Sequence, residues 1–132
     1  MNIVLPYGIT KLIYDKSITG TPALCYRSTG VVKVNANIWH TIHPDHQYFI
    51  LCHEAGHIVL NTTNEYEADR YAFEQYVRSG RSLKQSIYAL SKILTFTTLQ
   101  HHYRLEDQLQ RALEYDYIVN NNLKANKQCK KI

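Results

Sequence analysis

Apolar positions along the chain are first strand-like, then form a continuous run, then repeat at helical spacing. Ile9 to Tyr14 and Leu24 to Arg27 are rich in β-forming residues and bounded by Gly8, Gly20 and Pro22. Ser28-Thr29-Gly30 then turns the chain into Val31 to Asn35, the pattern of a β-hairpin. From Tyr48 the pattern becomes an apolar run, Tyr48 to Leu51 and Ile58 to Leu60, which encloses Cys52-His53-Glu54-Ala55-Gly56-His57. A run of that length is a buried helix, and Pro44 fixes its start near the first helical position. After Asn61-Thr62-Thr63, Asn64 caps a second helix whose first turn is acidic, and Gly80 ends it.

Two further helices follow from the same period. Ser82 caps one in which Leu83, Ile87, Leu90, Ile93 and Leu94 recur at helical spacing, and the β-branched stretch Thr95 to Thr98 breaks it. The other spans Tyr103 to Asn120, with Leu105, Leu109, Ala112, Leu113, Tyr117 and Ile118 expected inward. The fold class is therefore α+β: a small N-terminal antiparallel sheet, then a helical layer. Residues 1–123 make one domain with a single modest core. Residues 124–132, with Lys124, Lys127, Lys130 and Lys131, read as a basic, frayed tail.

Chemistry enters in the buried helix. His53 and His57 stand at i and i+4, so both rings project from one helix face and can close on one metal ion with Glu54 beside them. In a hydrolytic site Zn²⁺ takes three protein ligands and leaves a fourth position to water, whose pKa it lowers to about 7. Glu54 is then the candidate base that accepts the proton of that water. On the second helix, Glu65, Ala68, Asp69 and Ala72 form one stripe, opposite Glu67, Arg70, Tyr71 and Glu74. The alanines permit a close helix crossing, which brings Glu65 to the metal as third ligand. Asp69, one turn on, is suited to receive a ring N–H of a ligating histidine, and its loss is expected to weaken metal binding while leaving the fold intact. Taken alone, acids in a first turn would more commonly be there to complement the helix dipole.

The HEAGH motif followed by E-x-E-A-D-x-x-A resembles the gluzincin metallopeptidases, first the small ImmA/IrrE-like group and second the HtpX-like group, which shares the E-x-x-x-D form. The resemblance implies a zincin-like helix, His53, His57 and Glu65 as zinc ligands, Glu54 as catalytic base and Asp69 as supporting acid. It covers Val31 to Leu94, about half the chain, as motif order. The sequence departs from these families in a shorter connector between His57 and Glu65, which demands a tight helical hairpin. It also has Gln75-Tyr76-Val77-Arg78 where the ImmA-like group carries Leu-Met-Pro. In zinc peptidases of this general kind the sheet lies beside the active-site helix, and its edge strand can pair with an extended peptide.

Other candidates have plainer readings. His40, His43 and His46 stand three apart, but they straddle a loop and a helix start and share no common face, so they read as a solvated loop. Trp39 reads as a core anchor, and Cys52 as a packed core residue on a different face from the ligands. His101, His102 or Tyr103 can serve to stabilise an oxyanion as a downstream His or Tyr does in many gluzincins, or can lie in a surface loop.

Composition bounds the rest. The chain of 132 residues is 45% hydrophobic with net charge +4. Four tail lysines carry most of that charge, which leaves no basic face with interleaved aromatics and no clear nucleic-acid surface. The N-terminus has neither a basic leader nor an uninterrupted apolar span, and three scattered cysteines favour reduced thiols. These features predict a cytoplasmic protein without a membrane segment. Two functions follow: a zinc metallopeptidase acting on a peptide or protein, or a zinc-bearing scaffold within an assembly such as a phage particle.

Overall fold

The computed structural model describes residues 5–80 and 99–130, with side chains apart from those of Leu99 and residues 116–130. Three short strands, β1 (Lys11–Asp15), β2 (Ala23–Tyr26) and β3 (Val31–Asn35), are followed by a 3₁₀ turn at Trp39–Thr41. Three described helices follow: α1 (Pro44–Val59), α2 (Glu65–Arg78) and α3 (Leu99–Lys130). The α+β class holds. The predicted helix over Ser82 to Leu94, and the break after it, lie outside the described residues.

The sheet is mixed rather than antiparallel. β2 and β3 form the predicted hairpin, closed where the Thr29 and Gly30 amides donate to the Tyr26 carbonyl. β1 instead pairs parallel to β3, giving the order β1-β3-β2. The connection from β1 crosses the C-terminal end of β3 before β2 begins, and Asn35 of β3 and Asn37 just beyond it hold it there. Asn35 N donates to the Pro22 carbonyl and Asn35 Nδ2 to Thr21 O. Asn37 Nδ2 donates to Lys16 O at 3.0 Å.

Alternation along β3 sets the layers. Val32 and Val34 are fully buried and join Ile9, Trp39, Ile50, Leu51 and Ala55 in the core between sheet and α1. Lys33, on the opposite face, pairs with Asp15 at 3.6 Å and lies over the Tyr26 ring. Trp39 thus anchors the core as expected. A second cluster, Phe49, Cys52, Ala72 and Tyr76, joins α1 to α2, and Leu105 of α3 packs against it. Cys52 is a packed core residue, as its helical face predicts.

Helix α1 begins with Pro44 in its first turn, and the His43 ring accepts a hydrogen bond from Asp45 N. It crosses α2 closely, because a Cβ on Gly56 would stand 3.1 Å from Ala68 Cα and 3.2 Å from its carbonyl oxygen. Five residues connect the two helices. Asn61 adopts φ +48, Thr62 N donates to the His57 carbonyl, and Asn64 Oδ1 caps α2 by accepting from Glu67 N.

Helix α3 extends to Lys130, through residues read from sequence as a tail, and it turns a different face inward from the one expected. Leu109 and Leu113 are 46% and 57% exposed, while Arg104, Gln108 and Ala112 are buried. Leu105 and Ala112 match the prediction; the side chains of Tyr117 and Ile118 are not among those described. Polar chemistry decides this face, since Arg104 is drawn inward by acids on α2. Among the described residues, no helix is long and apolar enough to cross a membrane.

Candidate metal centre

The α1–α2 crossing brings His53, His57 and Glu65 together. Their ligand atoms all lie within 4.8 Å of one another, and among the described residues this is the group able to hold a metal ion. His53 Nε2 and His57 Nε2 are 3.1 Å apart, and Glu65 reaches each ring, Oε2 at 3.0 Å from His53 and Oε1 at 3.1 Å from His57. The i, i+4 spacing stacks the two rings edge to face, and the short connector swings Glu65 over them. His40, His43 and His46 form no such cluster.

The other ring nitrogens are held from behind. His57 Nδ1 donates to the Thr62 carbonyl at 2.8 Å, which points Nε2 at the cluster. His53 Nδ1 lies 2.8 Å from Asp69 Oδ1, an ion-pair distance, though the ring N–H is not aligned for a hydrogen bond. Burial disfavours charge on His53, but the Asp69 and Glu65 carboxylates outweigh it and raise its pKa to about 9. His57 is raised too: burial opposes this, and the hydrogen bond to Glu65 overcomes it. Burial likewise opposes ionisation of Glu65, yet hydrogen bonds from His53 and His57 hold it well below the usual carboxylate range.

The sequence reading missed Arg104. It reaches in from α3 and grips Asp69 with a bidentate pair of hydrogen bonds, Nε to Oδ2 and Nη2 to Oδ1, both 2.8 Å. Its Nη1 lies 3.3 Å from Glu65 Oε2. Against the cost of burying Asp69, the Arg104 hydrogen bonds and the adjacent His53 ring hold its carboxyl below its ordinary range. Nothing in the sequence singles out Arg104, because α3 is polar along much of its length and carries other basic residues such as Arg111, and the partners of Arg104 come together only when α3 docks on α2.

A cleft of about 490 Å³ opens over the cluster. Glu54 lines it beside His53 and His57, although it is only 8% exposed. Across from them stand Ala23, Leu24 and Cys25 of β2, whose outer edge pairs with no described strand. Burial, and then the charge of Glu54, push the Cys25 thiol up to about 12, and its sulfur is not among the ligand atoms that converge. Of the three downstream candidates His101 lines the cleft, whereas His102 is exposed and Tyr103 is 54% exposed.

No protein-family model, curated protein or solved structure matches this chain. The geometry itself therefore carries the functional argument.

Proposed function

We propose that the protein is a zinc-dependent metallopeptidase of gluzincin type, with His53, His57 and Glu65 as ligands and Glu54 as general base. The observation that carries this reading is the convergence of two imidazoles and a carboxylate on one point of a cleft that also contains a buried glutamate. Two nitrogens and an oxygen suit zinc. Tetrahedral bonds of about 2.1 Å put neighbouring ligand atoms about 3.4 Å apart, and the observed 3.0–3.1 Å separations need only a slight opening.

Zinc, when bound, supplies Lewis acidity and an activated water. The chain's own residues do the rest. Glu54 accepts the proton of the attacking water and carries it to the leaving amine, a role that its place beside His53 and His57 allows. The outer edge of β2, which pairs with no described strand, can pair with an extended peptide and hold its main chain along the cleft. His101 is the candidate donor to the developing oxyanion. Asp69 and Arg104 hold the ligand geometry from behind.

Glu54→Gln keeps the volume and removes the base, so zinc content and stability stay near those of the wild type while turnover falls about a hundredfold to ten-thousandfold. An unbiased peptide-library digest with both zinc-loaded proteins checks this. Equal cleavage by both would point to a contaminating protease. Absence of cleavage by either would favour the zinc-bearing scaffold.

A further inference from the structure

A second cavity, of about 480 Å³, adjoins the metal cleft and shares Pro22 and Ile50 with it as a common wall. The two spaces differ sharply in chemistry. The cleft is lined by Glu54, Glu65, Arg27 and Arg104, whereas no Asp, Glu, Lys or Arg among the described residues lines the second cavity. Its walls are Pro22, Ile38, Ile42 and Ile50 together with Thr41, His43 and His46, the two histidine rings having centroids 5.5 Å apart. Ile38 is 41% exposed although it faces this concavity, so apolar surface is left there for an occupant to cover.

We propose that this cavity is the specificity subsite of the same site and receives a large apolar side chain, aliphatic or aromatic, of the bound peptide. The proposal rests on the peptidase reading for the identity of the ligand as a substrate. Its basis is continuity. Pro22 directly precedes β2, so a peptide laid along the outer edge of β2 runs past Ala23 to the shared wall. In an extended strand side chains on one side recur roughly every 7 Å, so within two residues of the cleft one of them faces the cavity. Volume sets the size class. The cavity is within the range of small-ligand pockets, about 300–1,000 Å³, and a methyl group would leave its isoleucine walls largely uncovered. Charge sets the polarity, because no Asp, Glu, Lys or Arg among the described residues lines the walls, so a charged side chain would lose its hydration with at most the two histidines to receive it.

Two measurements test this. In the first, a peptide library is digested by zinc-loaded wild type and by Ile38→Asp, a change at an exposed position, with zinc content of the variant as a check on folding. Wild type should prefer Leu, Ile or Phe over Ala by about tenfold or more at one fixed distance from the scissile bond, and Ile38→Asp should bring that ratio close to one. An absent preference, or one unchanged in Ile38→Asp, would overturn the subsite. The second needs no turnover: methyl NMR of Ile38, Ile42 and Ile50 in metal-free protein, titrated with N-acetyl-leucinamide and with N-acetyl-alaninamide. Saturable shifts with the first and none with the second are expected. Failure of both to shift these methyls sinks the subsite even if peptides are cleaved. Shifts without any cleavage by the zinc-loaded wild type instead sink the peptidase reading, and leave the cavity as a site for apolar side chains.

Discussion

Asp69 ties the metal ligands to the rest of the molecule. It is 1% exposed, touches His53 on one side and is gripped by Arg104 on the other. Its sequence-based role was to orient a histidine, a loss affecting affinity alone. The structure adds a stability role, because Asp69→Ala also leaves the Arg104 guanidinium buried with Glu65 as its one remaining acidic partner among the described residues. Chelator competition should show zinc affinity falling about ten- to a hundredfold. Chemical denaturation should show a loss of about 3 kcal/mol, the scale of breaking one side of a buried ion pair. Adding Arg104→Leu should recover much of the stability and none of the affinity. Recovery of both would mean that Asp69 does not act through His53.

At the scale of elements, the site depends on how closely α1 and α2 cross. Gly56 is the residue that permits this, since Ala68 offers backbone atoms, with no flexible side chain to move aside. Gly56→Ala gains about 1 kcal/mol of helix propensity. It then forces the crossing apart by a few tenths of an ångström, an overpacking cost of about 1–3 kcal/mol. Because the ligands come from both helices, the separation is felt first at Glu65. The expected outcome is a small net loss of thermal stability together with a clear loss of zinc affinity. Unchanged affinity would show that Glu65 reaches the cluster independently of the helix separation.

Over the whole molecule, the centre joins three helices in one network: His53 and His57 from α1, Glu65 and Asp69 from α2, and Arg104 from α3. A metal held by the folded state alone would therefore stabilise the chain as a unit. Free zinc at a hundredfold excess over its Kd should add about 2.7 kcal/mol, and a chelator should remove it. Calorimetry with and without chelator measures the shift. His53→Ala combined with His57→Ala should abolish it. A shift that survives the double substitution would place the metal elsewhere.

Local chemistry alone determined much of this protein: the β2–β3 hairpin from its Gly-containing turn, the start of α1 from Pro44, the cap of α2 from Asn64, and the pairing of His53 with His57 from the helical repeat. Each follows from residues a few positions apart. Even the approach of Glu65 was legible, because the Ala68–Ala72 stripe specifies a close crossing. Three features needed the tertiary structure. The parallel pairing of β1 with β3 is a long-range choice, set by how the intervening loop crosses the sheet end. The inward face of α3 could not be read from its leucines, because the buried acids of α2 draw in Arg104 and leave Leu109 and Leu113 outside. The second cavity belongs to no single segment. It forms where the approach to β2, the 3₁₀ region and the start of α1 meet, and only their packing creates it.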